Sequence, residues 1–137
     1  MALKYLADTS VFSRLEKPPV RKVVSELLRE YRLGRCAFSD LELGFSTRNE
    51  AEWDSLQRAI AVARLVDVEQ ADFVRARGVQ RALAALGVKG RKIPDLMIAA
   101  VAERNSLILL HYDRDFEFIA RSTGQPVEWV VERGSVD

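Results

Sequence analysis

Short apolar runs alternate with longer amphipathic stretches along the whole chain, and this alternation limits the possible folds more than any other feature. The clearest run is 107–110 (LILL), and other runs of strand length lie at 3–7, 35–38, 65–68 and 127–131. The segments between them carry apolar residues at helical spacing. Strands separated by helices pair in parallel, with helices on both faces of the sheet. We therefore expect an α/β fold with a central, mainly parallel sheet of about five strands flanked by helices on both faces.

Prolines, glycines and capping residues predict where the intervening helices begin and end. Pro19 suits the first turn of a helix that continues to Tyr31 and is expected to stop at Gly34, and Pro94 is expected to open another helix. Further helices are predicted over 39–47, from Asn49 onward, over 69–86 and over 115–122. No internal repeat, low-complexity segment or linker interrupts the pattern, so residues 1–137 are predicted to form a single domain.

Composition narrows the class of protein. The chain is 48% hydrophobic and 30% charged, as expected of a globular domain, and its single cysteine, Cys36, cannot form an internal disulfide. A reducing cytoplasm is the expected compartment, and no apolar run is long enough to cross a membrane. The 21 lysines and arginines nearly balance the 20 aspartates and glutamates. Net charge alone therefore does not indicate a nucleic-acid binder, although acids gathered at one site would leave the remaining surface basic.

The first predicted strand ends on an acid, Asp8, which is followed by two small hydroxyl residues, Thr9 and Ser10. Open α/β sheets bind ligands in the crevice beyond the carboxyl ends of their strands. Asp8 is therefore expected to point into such a crevice.

Two further acids lie near the starts of predicted helices, where each also has a purely structural explanation. Glu42 follows Ser39 at the spacing of a capping box, in which the glutamate accepts a hydrogen bond from a helix-start N–H. Asp95 could simply complement the helix macrodipole. The helix opened by Pro94 nevertheless leads into the 107–110 strand, so Asp95 is expected at the same sheet edge as Asp8.

Asp113 and Asp115 follow the 107–110 strand. Either could cap the helix that begins near Phe116. We predict that Asp115 is the cap and that Asp113, which is nearer the end of the strand, faces the crevice.

Acids gathered at one edge of a sheet favour a bound cation. Clustered carboxylates raise one another's pKa unless a cation neutralises them. An all-oxygen ligand set, without a cluster of histidines or cysteines, selects a hard ion such as Mg²⁺ or Mn²⁺. Such an ion activates water and stabilises a phosphate transition state, so the pattern predicts metal-assisted hydrolysis of phosphodiesters.

The ordered set of motifs resembles the PIN-domain nucleases over essentially the whole chain. The matching residues are Asp8-Thr9-Ser10, Glu42, Ile93-Pro94-Asp95 at the start of an apolar helix, and Asp113-x-Asp115-Phe116 after an apolar strand. In size and order the chain is most similar to the VapC toxins of bacterial toxin–antitoxin pairs. This resemblance implies a PIN-like fold and an endoribonuclease activity.

The resemblance also implies roles for individual residues. It implies a catalytic quartet of acids that holds Mg²⁺ or Mn²⁺, with the three aspartates as metal ligands. The members of this quartet are Asp8, Glu42, Asp95 and Asp113. Asp115 matches a supporting acid, and the hydroxyl of Thr9 or Ser10 would orient an acid or a ligand water. His111 departs from the family pattern, because many relatives have threonine there. We expect His111 to pack or to form a hydrogen bond rather than to act as a general base.

An RNA substrate, a small cognate antitoxin that blocks the site, and a homodimer are further implications of the resemblance. A dimer that binds antitoxin would form a heterotetramer or a larger complex. Lys89, Arg91 and Lys92 lie just before Asp95 and could contact RNA phosphates, although a solvated loop explains them equally well. The apolar stretch 41–53 could form a groove for a partner, although core packing is the simpler explanation.

Two other functions fit parts of the pattern. An aspartate-nucleophile phosphatase also begins with an acid after its first strand, but it needs a second acid two residues later, where this chain has Ser10. A phospho-receiver, or another non-catalytic binding module of that kind, would carry paired acids at the first strand and a lysine near the last. The chain has neither, so a nuclease with a metal centre is the favoured interpretation.

Overall fold

A five-stranded parallel sheet lies at the centre of the computed structural model, which describes residues 2–88 and 92–137. The strands are β1 (Tyr5–Ala7), β2 (Leu33–Cys36), β3 (Arg64–Val66), β4 (Ile108–His111) and β5 (Val127–Trp129). The helices are α1 (Thr9–Phe12), α2 (Pro18–Arg29), α3 (Ala37–Phe45), α4 (Glu50–Ile60), α5 (Gln70–Ala85), α6 (Ile93–Arg104) and α7 (Asp115–Thr123). The predicted α/β architecture is therefore confirmed, and short α1 is an addition to it.

The strand order is β3-β2-β1-β4-β5, and every pairing is parallel. The chain builds the sheet outward from β1 through β2 to β3, and then returns to add β4 and β5 on the other side of β1. The order therefore reverses between β1 and β4. In open α/β sheets such a switch point creates a crevice beyond the carboxyl ends of the two strands.

Two hydrophobic cores lie on opposite faces of the sheet, because successive strand residues point in opposite directions. Leu6 and Leu109 belong to the core under α5, α6 and α7. Their neighbours Ala7 and Leu110 belong to the core under α1, α2 and α4. Helix α6 is buried from Asp95 to Ala102, which explains why its sequence is apolar on every side.

The end of α2 differs from the prediction that Gly34 stops this helix. The helix stops at Arg29, and Tyr31 turns the chain with a φ of 57°. Gly34 instead lies inside β2, where a Cβ atom would come within 2.9 Å of Val66 Cγ2. Glycine is needed at this position because the neighbouring side chains approach the backbone closely.

Helix α3 also begins earlier than the prediction placed it. It starts at Ala37 with Cys36 as its N-cap residue, so Ser39 lies inside the first turn rather than at the cap. The final strand is shorter than expected and ends at Trp129. Within the two described ranges, no helix is long and apolar enough to cross a membrane.

Candidate metal centre and active site

The acids singled out in the sequence converge on one cavity at the switch point of the sheet. Asp8, Glu42, Asp95 and Asp113 all line this cavity, whose volume is about 590 Å³. Asp8 follows β1 and Asp113 follows β4, so adjacent parallel strands deliver both to the same edge. Glu42 comes from the second turn of α3, and Asp95 comes from the first turn of α6.

Asp8 is the N-cap residue of α1 and is only 3% exposed. Its Oδ2 accepts a hydrogen bond from the backbone N–H of Ser10 at 2.9 Å, whereas Oδ1 has no partner among the described residues. Burial raises the pKa of Asp8 to about 6, and the charge of Glu42 adds to the rise, while hydrogen bonds from Ser10 oppose it. One oxygen of this carboxyl is therefore held by the fold and the other is left for a ligand.

Asp95 is the third residue of α6 and is 4% exposed. Its Oδ2 is buried without a hydrogen-bond partner in the described part of the chain. Burial raises the pKa of Asp95 to about 7, and the charges of Asp8, Asp113 and Glu42 raise it further, while Lys92 opposes them. All the other acids of the quartet act on this one carboxyl, which makes it the electrostatic centre of the site.

Glu42 does not form the capping box that its spacing from Ser39 allows. Its Oε1 accepts a hydrogen bond from Thr9 Oγ1 at 2.6 Å, and Thr9 Oγ1 also lies 3.0 Å from Ser39 Oγ. A capping-box glutamate is the third residue of its helix and accepts from the N–H of the N-cap residue. Because α3 begins at Ala37, Glu42 is the sixth residue and is too far along the helix for this role. The structural explanation of Glu42 is therefore wrong, and Thr9 orients this acid toward the cavity.

Ser10 has a different task from Thr9. Its hydroxyl accepts a hydrogen bond from the backbone N–H of Tyr112 at 2.9 Å, which ties the start of α1 to the end of β4. This contact fixes the two strand ends that carry Asp8 and Asp113 relative to each other.

Asp113, rather than Asp115, caps the start of α7. Asp113 Oδ1 accepts a hydrogen bond from the backbone N–H of Asp115 at 2.9 Å, so Asp113 caps the helix that begins at Asp115. The prediction that Asp115 is the cap was wrong, because the carboxylate two residues earlier reaches its N–H in an Asx-type turn. Asp113 still lines the cavity, as predicted.

Asp115 joins a compact group of possible ligands. One carboxylate oxygen from each of Asp95, Asp113 and Asp115 lies within 4.8 Å of the other two. Asp8 is outside this group, although it lines the same cavity and its charge raises the pKa of Asp95. Asp95 therefore belongs to the group with Asp113 and Asp115 and also interacts with Asp8.

His111 is completely buried between aromatic rings. Its ring centroid lies 5.3 Å from that of Phe116 and 4.8 Å from that of Trp129, and its Nδ1 accepts a hydrogen bond from the N–H of Asp113 at 3.1 Å. Burial lowers the pKa of His111 to about 4, so the ring is neutral at pH 7. The predicted packing and hydrogen-bonding role is confirmed, and the ring supports the turn that carries Asp113.

Basic side chains surround the acids at the rim of the cavity. Lys92, which the sequence suggested, is exposed and lines the cavity, whereas Lys89 and Arg91 lie outside the described residues. Arg14 and Arg133 also line it and were missed. Neither arginine lies in a motif that indicates a binding site. Arg14 follows the short helix α1 and Arg133 follows the last strand, and only folding brings these two positions together.

The apolar stretch 41–53 is only partly buried. Leu41 is 71% exposed, Phe45 91% and Trp53 48%, whereas Leu43 packs against the core under α2. Gly44 lets Trp53 lie against α3, because a Cβ there would come within 2.8 Å of Trp53 Nε1. Core packing is therefore the wrong explanation for Leu41 and Phe45, which form an exposed apolar surface with Trp53.

Comparison with known sequences gives matches over nearly the whole chain. The model of the PIN domain family matches residues 5–122. Ribonuclease VapC51 of Mycobacterium tuberculosis (strain ATCC 25618 / H37Rv) is 49% identical over 137 residues, which is the full length of both chains. Ribonuclease VapC21 of the same strain is 42% identical over 138 residues, covering 98% of this chain and 99% of that protein.

Solved structures confirm the fold. A VapBC complex from Salmonella typhimurium bound to DNA matches with a TM-score of 0.76 at 18% identity, covering 94% of this chain and 99% of that one. VapBC2 from Rickettsia felis, bound to a DNA fragment from its promoter, matches with a TM-score of 0.78 at 14% identity, covering 94% and 98%.

Proposed function

The chain belongs to the PIN-domain family and, within it, to the VapC ribonucleases, and we propose that it is a toxin whose RNA cleavage depends on Mg²⁺ or Mn²⁺. The main observation in favour of a metal is that Asp8 Oδ1 and Asp95 Oδ2 are buried carboxylate oxygens without a hydrogen-bond partner among residues 2–88 and 92–137, and that both residues line one cavity. Buried carboxylates are costly unless a cation pairs with them. The all-oxygen donor set fits a hard divalent ion.

Asp8, Asp95 and Asp113 are the ligands that we propose, with Asp95 at the centre. Asp95 is close to Asp113 and Asp115, and among the neighbouring acids the charge of Asp8 raises its pKa most. Because Mg²⁺ keeps several waters and takes only one or two carboxylates directly, the remaining acids act through water. Asp115 takes this supporting role.

Catalysis then divides between the cation and the side chains of this chain. When bound, the cation supplies activation of the attacking water and neutralisation of charge at the scissile phosphate. Thr9 holds the Glu42 carboxylate at 2.6 Å, so that Glu42 can orient that water and accept its proton. His111 and the N–H of Asp115 fix the backbone and one oxygen of Asp113. The reacting groups are thereby positioned before RNA arrives.

The partners that we propose are RNA, a small antitoxin protein and a second copy of the chain. Lys92 beside Asp95 suits an RNA phosphate, and Lys89 and Arg91 are kept as sequence-based candidates. The exposed apolar surface of Leu41, Phe45 and Trp53 suits an antitoxin, because patches of this kind mark binding sites for proteins. The cytoplasm is the proposed compartment, since the RNA is there and the buried thiol of Cys36 is reduced.

One experiment tests the ribonuclease and its metal together. Purified protein is incubated with total cellular RNA in EDTA, Mg²⁺ or Mn²⁺, and the cut ends are mapped by sequencing. We expect discrete internal cuts with either cation, none in EDTA, and none with the Asp95→Asn variant. Cleavage that persists in EDTA at full rate would overturn the metal dependence, and intact RNA under every condition would overturn the ribonuclease function.

A further inference from the structure

A wall of the cavity is formed by residues that the proposed chemistry does not use. Segment 132–137 folds back along the cavity, and Tyr112 fixes it in place. The Tyr112 hydroxyl donates to the carbonyl of Val136 at 2.6 Å and accepts from the N–H groups of Gly134 at 3.0 Å and Val136 at 3.2 Å. These bonds use the one donor and both acceptor sites of the hydroxyl, so the segment has a defined position beside the acids.

Arg14 lies against the same wall. Its guanidinium stacks on the Tyr112 ring, 4.8 Å from the ring centroid, and Nη1 donates to the carbonyl of Ser10 at 2.9 Å. Its Nε lies 3.5 Å from the main-chain oxygen of Asp137, the last residue of the structure, and the side-chain carboxylate of Asp137 pairs with Lys17 Nζ at 3.1 Å. Within the described ranges no aspartate or glutamate side chain forms an ion pair with Arg14, and its long contact with the main-chain oxygen of Asp137 leaves guanidinium N–H groups for a ligand at the cavity.

RNA needs such a charge at this position. The acidic quartet repels a polyanion, and cationic side chains that contact the flanking phosphates supply most of the affinity of proteins for nucleic acids. A guanidinium suits the task better than an ammonium, because its planar N–H groups match two phosphate oxygens at once. The stacking on Tyr112 holds the Arg14 guanidinium in position by its face, and its N–H groups stay available to bind a phosphate.

We propose that Arg14 binds a backbone phosphate of the RNA beside the scissile one, and that Tyr112 positions Arg14 by anchoring segment 132–137 behind it. The inference rests on the proposed ribonuclease function and adds a substrate-binding residue to it. Arg14 contacts the substrate, whereas Tyr112 acts only through Arg14 and the segment.

The test compares Arg14→Gln with Arg21→Gln, a matched loss of one arginine on α2 outside the cavity. Cleavage of a short single-stranded RNA is measured in Mn²⁺, and binding is measured in EDTA by fluorescence anisotropy at several salt concentrations. Losing a charge-assisted contact should raise KM about tenfold in Arg14→Gln and leave kcat within about threefold. The slope of log K against log salt should fall by about 0.7, the value for one phosphate on a single strand. Arg21→Gln should match the wild type.

Arg14→Lys guards against a folding defect and tests the geometry. It keeps the charge, so its salt slope should equal that of the wild type, but KM should still rise because lysine cannot form the two-point contact. If the wild type cleaves RNA while Arg14→Gln retains its KM and its salt slope, the inference is overturned and the ribonuclease function stands. If the wild type cleaves no RNA, the proposed function is overturned, and the role of Arg14 falls with it.

The positioning role of Tyr112 is tested by a double-mutant cycle. Tyr112→Phe keeps the ring under Arg14 but removes the three hydrogen bonds to segment 132–137. It should raise KM about threefold when Arg14 is present and leave it unchanged in the Arg14→Gln background, because coupled residues are not additive. Equal increases in both backgrounds would overturn the role of Tyr112.

Discussion

Asp72 and Asp95 occupy the same position, the third residue, in the neighbouring helices α5 and α6, and both are almost completely buried. Asp72 accepts hydrogen bonds from Arg104 Nε at 2.8 Å and Nη2 at 3.1 Å, and from the N–H of Glu69 at 2.8 Å. Asp95 has one oxygen with no partner at all among the described residues. Both oxygens of Asp72 are therefore hydrogen-bonded within the protein, whereas one oxygen of Asp95 could accept a ligand.

The antiparallel packing of α5 and α6 produces this difference. The start of α5 lies beside the end of α6, where Arg104 is available to pair with Asp72. The start of α6 lies at the switch point of the sheet, where its neighbours are the acids Asp8, Asp113 and Glu42. Helix position and burial are therefore equal in the two aspartates, and only the charge of the surroundings separates the acid that is paired within the protein from the acid that we propose as a metal ligand.

Isosteric amide substitutions give the largest expected contrast. Asp95→Asn should reduce RNA cleavage by about 100-fold or more, because the charge that organises the reacting groups is lost. Asp72→Asn should leave kcat near the wild-type value in the folded protein, but should lower the free energy of unfolding by about 2 kcal/mol, the scale of a buried hydrogen bond to a charged group. Cleavage assays in Mn²⁺ and chemical denaturation in EDTA measure the two effects.

Asp8→Asn should resemble Asp95→Asn rather than Asp72→Asn. Removing one of several repelling charges should leave the metal-free protein at least as stable as the wild type, and the amide oxygen can still accept from the N–H of Ser10. Cleavage should nevertheless be abolished. A variant that unfolds more easily than the wild type and still cleaves RNA would identify Asp8 as a structural cap.

Metal binding should stabilise only proteins in which the functional acids are intact. At 100 times the dissociation constant, Mn²⁺ should raise the free energy of unfolding of the wild type by about 2.7 kcal/mol. The same addition should have no effect on the Asp8→Asn, Asp95→Asn double variant, whereas Asp72→Asn should respond like the wild type. Isothermal titration calorimetry gives the affinities directly, and equal Mn²⁺ affinity in the double variant and the wild type would contradict the ligand assignment.

Stability of the metal-free protein should fall as pH rises from about 4 to about 7. The folded state raises the pKa of Asp8 to about 6 and that of Asp95 to about 7, from an ordinary value of 3.8. In that window each of these carboxyls binds more protons in the folded state than in the unfolded state, so each contributes a loss of up to about 1.4 kcal/mol per pH unit. Folding lowers the pKa of His111 from 6.5 to about 4, which contributes a gain of up to the same slope in the lower part of the window. The net fall is therefore about that of one carboxyl below pH 6. Asp95→Asn, or saturating Mn²⁺, should flatten the upper part of the curve. Denaturation in EDTA across the pH range measures it, and rising stability would refute the assigned environments.

The smallest effect is expected at the surface of the same helix pair. Arg75 on α5 pairs with Glu103 on α6 at 2.6 Å, but both side chains are partly exposed. Water and salt screen such a pair, so Arg75→Gln should change the free energy of unfolding by about 0.5 kcal/mol and leave cleavage unchanged. If Arg75→Gln lowered the free energy of unfolding as much as Asp72→Asn, the different burial of the two ion pairs between α5 and α6 would not explain their contributions to stability.

The fold and the positions of three acids followed from signals that are local in the sequence. A strand of three to five apolar residues followed by an acid is enough to place Asp8 and Asp113 at the carboxyl edge of a parallel sheet. The proline before Asp95 similarly predicts a helix start. These inferences needed no knowledge of which residues meet in space.

The errors arose where a local pattern competes with a contact between distant residues. Glu42 matched a capping box, yet its partner is Thr9, 33 positions earlier. Gly34 was interpreted as a helix stop, yet its role depends on the approach of Val66 and Leu3. Arg14 gave no signal, because its environment is built by Tyr112 and by segment 132–137. Such contacts depend on the whole fold and cannot be predicted from residues that are adjacent in the sequence.

The hydrogen bond between Ser10 and Tyr112 joins residues 102 positions apart, and the acids beside them are just as distant in the chain. During synthesis, β1 leaves the ribosome first and can pair with β2, but its other edge stays empty until β4 has been made. A nascent chain therefore carries Asp8 without the proposed active site until β4 has been translated. The ribosome that makes the protein is therefore not exposed to its ribonuclease activity before β4 has been translated.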